Sequence, residues 1–265
     1  MVPKLKLAFT LIVALWSLKS QAAGGKSNLV AVSQGISSPA ITTMVNYSNG
    51  FTKENPAGVV YRNASLASLE FDINNDNIHG FGSEVGTGNG NFGLSLGYYK
   101  DQCEGCNGSI AAALGANISD IGIGLRIGDG IYSLGAIFFG QGEHRLGLMT
   151  EIQNLGHGNK FSAYGLGYSF VNDLLTLSLD ASSRSYDDSG GDDKATVVTP
   201  GVALKFDTYS FSLNYDAYTG GSGTDAGPDP NALWFGFGIG ASDVWHVALY
   251  KDFVSQWTLV GTLFF

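Results

Sequence analysis

The last ten residues, 256–265, read Gln-Trp-Thr-Leu-Val-Gly-Thr-Leu-Phe-Phe. In an extended chain, Trp257, Leu259, Gly261, Leu263 and Phe265 share one side, and Thr258, Val260, Thr262 and Phe264 share the other. Domain ends in water fray into polar residues. This end is amphipathic and aromatic, and it is as long as the about 9–11 residues with which a tilted strand crosses a bilayer. Two folds satisfy it: a transmembrane β-barrel, or a sandwich in water with this stretch as a buried edge strand.

The rest of the chain decides between them. Segments of about 8–12 residues with apolar residues at every second position recur to the C-terminus, separated by turn residues. Phe92, Leu94 and Leu96 alternate with Gly93, Ser95 and Gly97; Ile121, Ile123 and Leu125 with Gly122, Gly124 and Arg126; Phe211, Leu213 and Tyr215 with Ser210, Ser212 and Asn214. The connections carry a parity. Ser119-Asp120, Asn172-Asp173, Asp207-Thr208 and Ser242-Asp243 are tight turns, whereas residues 101–107, 153–159, 186–194 and 219–231 read as longer Gly-, Asp- and Asn-rich loops. Gly128-Asp129-Gly130 is short where a long one is expected. Short turns on one side and long loops on the other is the asymmetry of outer-membrane barrels, with the short turns and the end of the chain in the periplasm. The expectation is an all-β, antiparallel transmembrane barrel of 14 strands, or 12 if residues 65–86 belong to a plug.

Composition agrees. Thirty-eight glycines, 16 Phe and 12 Tyr with only 14% charged residues suit strands and turns better than long helices. Lys4 and Lys6 precede an apolar run over residues 7–18, and Ser20-Gln21-Ala22 offers a signal-peptidase site, so residues 1–22 read as a signal peptide. The run is too short to span as a helix. Removing it takes away Lys4, Lys6 and Lys19, leaving 11 basic against 23 acidic residues and a net charge of about −12, which makes nucleic acid an unsuited partner.

Residues 24–63 lack alternation and contain Ser38-Pro39, Asn49-Gly50 and Asn55-Pro56-Ala57-Gly58. The terminal Phe265 resembles the signal that outer-membrane assembly machinery reads. Asn55-Pro56-Ala57, just before the first strand, resembles the N-P-A motif that closes the N-terminal hatch of the FadL/TodX family of transporters for hydrophobic compounds. The resemblance implies a hatch over residues 23–63 followed by a barrel over residues 64–265, passive uptake of fatty acids or similar molecules, and a side exit at an inward kink of the wall, assigned to residues 86–93, whose four glycines by themselves read as a turn, a kink or a bulge. After removal of the signal the chain has 243 residues, far fewer than typical members, with correspondingly brief outer loops.

Arg126, Arg145, Glu151, Asp180, Arg184, Lys205 and Asp216 fall opposite the apolar face, where they either line a solute path or pair with one another in the lumen. Trp234, Trp245, Trp257, Tyr98, Tyr132 and Tyr168 are expected at the membrane interfaces. Cys103 and Cys106 sit in a loop; two thiols do not complete a zinc site, and an exported chain favours a disulfide. The four histidines show no metal-ligand spacing and no serine sits in a nucleophile elbow, so neither cofactor nor catalysis is expected. Partners are then membrane lipids, hydrophobic small molecules, the assembly machinery and further copies in a homo-oligomer. Two other functions fit the same barrel: a self-associating structural protein that binds or organises lipid, and a simple porin.

Overall fold

The computed structural model describes residues 55–61, 65–74, 77–101, 108–156, 159–172, 174–188, 191–206, 208–222, 232–241, 244–252 and 256–265. The expected signal peptide, most of the expected hatch, the Cys103–Cys106 pair and the Ser242-Asp243 turn lie outside them. Among the described residues one short 3-10 helix, Pro56–Tyr61, precedes fourteen strands. They are β1 (Leu66–Asn74), β2 (Asn77–Gly88), β3 (Phe92–Asp101), β4 (Ser109–Ile118), β5 (Ile121–Gly128), β6 (Ile131–Phe138) and β7 (His144–Gly156) in the first half. The second half supplies β8 (Asn159–Val171), β9 (Leu175–Asp188), β10 (Gly191–Phe206), β11 (Tyr209–Ser222), β12 (Ala232–Ala241), β13 (Trp245–Asp252) and β14 (Gln256–Phe264).

All the registered strand pairs are antiparallel, and the hydrogen-bonded order runs from β1 through β14 and back down the numbering to β2. These two end strands are consecutive in the chain and lie side by side, with no hydrogen-bonded ladder registered between them among the described residues. The chain's end is fastened there: beyond the ladder that pairs Leu66 with Phe264, Ser65 and Phe265 exchange two backbone hydrogen bonds of 3.2 and 3.0 Å. The strand positions follow the alternation. Ser119 and Asp120 turn with φ of 51° and 66°, the left-handed geometry that short polar side chains tolerate.

The faces are inverted relative to a domain in water. Leu94, Leu114, Leu134, Leu166 and Leu179 point outward and are about half exposed, whereas Ser95, Ser133, Ser169, Glu70 and Glu84 are buried on the inner face. Only a bilayer covers such a belt, and no helix among the described residues is long and apolar enough to cross one.

Two expectations about the connections are corrected. Residues 153–159 and 186–194 are mostly strand: β7 and β8 run to within two residues of each other, as do β9 and β10. At 14 and 16 residues, β9 and β10 exceed the length a bilayer requires, so this hairpin projects beyond it. Their outer ends are polar, which reads as loop by composition, yet in the ladder Asp187 pairs with Lys160 and Ser185 with Lys194. Residues 86–93 form no kink in a strand. They are the β2–β3 turn, where Asn89 Oδ1 accepts from the backbone N–H groups of Asn91 and Phe92 at 3.0 and 2.9 Å and Gly90 takes a φ of 82°.

The lipid-facing assignment is testable at Leu114, in the middle of β4. Leu114→Arg is expected to cost about 2–4 kcal/mol in equilibrium urea unfolding from vesicles, the penalty for a charge at the bilayer midplane. A change below about 0.5 kcal/mol would place that side chain in water.

Candidate functional site

Asn55, Pro56 and Ala57 each have a separate mechanical role. Asn55 is 1% exposed, and its Oδ1 accepts from the Ala57 N–H at 3.0 Å, capping the 3-10 helix that follows. Pro56 occupies the first helical position, where a missing N–H is no loss. The Asn55 Nδ2 is left to donate outward, and it bonds two carbonyls of the wall, Ala136 at 3.1 Å and Leu148 at 2.9 Å. These two residues stand directly opposite each other on β6 and β7. Only a side chain with one acceptor and two donors at that length fills all three positions.

The segment then crosses the inner wall toward β2. Gly135 faces Asn55 and Pro56, Gly124 faces Pro56 and Ala57, Gly115 faces Val59 and Val60, and Gly93 faces the Val59 carbonyl. A Cβ at any of them would collide with the segment, so these glycines form a track in which its backbone lies against the strands. The far end is held by the β2–β3 turn, whose Gly90 N–H donates to the Val60 carbonyl at 2.9 Å. Tyr61 lies against Gly122 and Gly140 and donates a long hydrogen bond, 3.4 Å, to the Ile137 carbonyl. Burial pushes its phenol pKa up from the ordinary value, so the hydroxyl stays protonated and keeps that role.

Arg126, Arg145, Glu151 and Asp180 are buried on the inner face. Arg126 Nη1 lies 3.8 Å from Glu151 Oε2, which also accepts from Ser133 Oγ at 2.8 Å, and Arg145 Nε donates to the Gly142 carbonyl at 2.8 Å. The side chains of Arg184, Lys205 and Asp216 lie outside what the structure describes, as does that of Trp234. Glu70, Asp72 and Glu84 join the inner face as well. The signal for β1 was present: Leu66, Ser68, Glu70 and Asp72 alternate with Ala67, Leu69, Phe71 and Ile73. Of the expected interface aromatics, Tyr98, Tyr132 and Trp257 stand toward the hairpin end and Tyr168 and Trp245 toward the short turns. Sequence reasoning passed over the ring cluster Phe206, Tyr209, Phe211 and Phe237 on the outer face beside the β10–β11 turn.

The outer surface carries a depression of ≈ 710 Å³ behind the point that Asn55 grips. Ala136 and Leu148 line it, with Leu134, Tyr164 and Leu166 beside them. The Asn55 side chain and one lipid-facing hollow therefore meet the same two residues from opposite sides of the wall.

No protein-family profile matches the sequence, and no characterised protein matches it at the sequence level. The fold does match. A FadL homologue of Pseudomonas aeruginosa superposes with a TM-score of 0.56 at 9% identity, over 93% of this chain and 99% of the other. The CymD monoaromatic hydrocarbon channel gives 0.53 at 10% identity, over 93% and 97%. The toluene transporter TodX of Pseudomonas putida gives 0.52 at 10% identity, over 94% and 96%. The fold is that of the FadL/TodX-type outer-membrane β-barrels.

Asn55→Ala is expected to cost about 1–3 kcal/mol, the scale of a lost cap together with buried hydrogen bonds. Asn55→Asp costs more, because it aims carboxylate oxygens at two carbonyl oxygens. Amide hydrogen exchange of residues 55–61 checks this: at least tenfold faster exchange in Asn55→Asp is expected, and unchanged exchange would mean that the Asn55 side chain does not hold the segment. In the lumen, Arg126→Met removes the cation beside the buried Glu151 and is expected to cost about 3–5 kcal/mol. Arg126→Met with Glu151→Leu should cost less than Arg126→Met alone; strictly additive losses in a double-mutant cycle would show that the two charges are uncoupled.

Proposed function

We propose that this barrel admits hydrophobic molecules, such as long-chain fatty acids or small hydrocarbons, through the outer membrane by passive diffusion. Residues 1–22 direct export, and residues 23–63 form a hatch inside the barrel of residues 64–265. The short turns and Phe265 face the periplasm, and a Cys103–Cys106 disulfide pins the loop after β3. Solute is captured at the hairpin end, passes the hatch and leaves sideways through the wall beside Asn55-Pro56-Ala57. The barrel is no enzyme in this reading, and no energy source enters it.

The observation that carries the reading is the placement of Asn55. It bonds from inside to Ala136 and Leu148, the residues that floor an apolar hollow on the lipid side. The hatch thus grips the two strands behind that hollow. The fold shared with a hydrocarbon channel and a toluene transporter gives further support. Buried carboxylates and guanidinium groups on the inner face also suit a water-filled pore. The hatch segment laid across five strands opposes that alternative.

Uptake of labelled oleate and of toluene by bacteria lacking their own hydrophobic-compound channels separates these functions. Expression of this chain should raise uptake of at least one of the two, and Gly124→Val, which drives a side chain into the backbone of Pro56 and Ala57, should change the rate severalfold. Passage of small sugars with no gain for either hydrophobic probe would make the protein a porin.

A further inference from the structure

The hollow on the outer wall has a shape that an exit alone does not require. It follows two cross-strand rows. In one, Ile123, Ala136, Leu148, Leu166 and Ala181 are successive ladder partners from β5 to β9; in the next, Leu134, Thr150, Tyr164, Ser183 and Thr196 run from β6 to β10. Six strands at about 4.8 Å spacing make a trough roughly 24 Å long. Because strands tilt in a barrel, such a row climbs. Ile123 stands three residues past Asp120 at the short-turn end, whereas Thr196 stands ten residues before Phe206, the end of β10.

The trough changes chemistry as it climbs. Ile123, Leu134, Ala136 and Leu148 line its lower part, and Ser183 and Thr196 bring hydroxyls to its upper end. Above that rim on the same outer face come exposed Lys194, one outward position beyond Thr196, and exposed Lys160, two beyond Tyr164, with Asp187 across from Lys160. An open apolar trough that ends in hydroxyls and then lysines matches a long acyl chain below a phosphorylated head.

We infer that this trough is a resident binding site for one acyl chain of a phosphorylated glycolipid of the outer leaflet, of the lipid A type, with its phosphate at Lys160 and Lys194. The leaflet follows from the orientation proposed above, in which the hairpin end faces outward; occupancy does not depend on whether a solute crosses the barrel. Ala136 and Ala181 hold the slot open, since both are small where their neighbours on the row are Leu148 and Leu166.

Native mass spectrometry of the detergent-purified full chain, with lipid A or phosphatidylethanolamine added in turn, tests the site. One lipid A per barrel should survive the activation that strips detergent. Ala181→Phe, which fills the slot, should weaken retention at least tenfold, and Lys160→Ala with Lys194→Ala severalfold. Ala112→Phe, an outward substitution on β4 away from the trough, should leave it unchanged. Folding of each variant is checked by resistance of the unheated barrel to SDS. Retention of neither lipid, equal retention of phosphatidylethanolamine, equal loss in Ala112→Phe, or a dimer that carries no lipid would each overturn the inference. A barrel that retains lipid A but admits neither oleate nor toluene would leave the site standing and remove the transport reading.

Discussion

Hydrocarbon supplies no hydrogen bonds, so a sheet in a bilayer has to satisfy its own backbone. That requirement explains the pairing of β1 with β14. The last strand is the one that the first strand pairs with, and residues 65 and 265 exchange both of their backbone bonds at the very end of the ladder. Without that ladder β1 would have no hydrogen-bonded neighbour among the described residues. The even strand number follows from the same constraint, because both ends of the barrel must come to one rim before they can meet.

Much of this is legible in the sequence because the strand period is two and lipid replaces water as the outer solvent. The alternation of Leu94 and Leu96 with Ser95 and Gly97 says which face is which without knowledge of any contact. Turn positions are legible for a similar reason, since Ser119-Asp120 needs residues that accept positive φ. The ends of β7 to β10 were illegible. Beyond the apolar belt both faces meet water, so the alternation loses its apolar member and a paired strand looks like a loop.

The hatch shows a different limit. Asn55-Pro56-Ala57 is recognisable as a resemblance, but its mechanics depend on carbonyls 81 and 93 residues away. The glycines that receive it were visible as small residues on the inner face, and nothing local distinguishes Gly124, which faces the hatch, from Gly97, which belongs to the same face of β3. The acids Glu70, Asp72 and Glu84 were open to the alternation argument in a region whose assignment to wall or plug was undecided.

Among the described residues the contact between the N-terminal segment and the barrel lies at the wall itself. Strands β6 and β7 are contacted from the lumen by one amide group and, on the opposite side, present an apolar trough to lipid. Each carbonyl of Ala136 and Leu148 has a second lone pair, so the amide adds bonds without demanding that the ladder open. The N-terminal segment acts on the barrel as a tether on two adjacent strands, and what reaches the trough from the bilayer acts on the same pair.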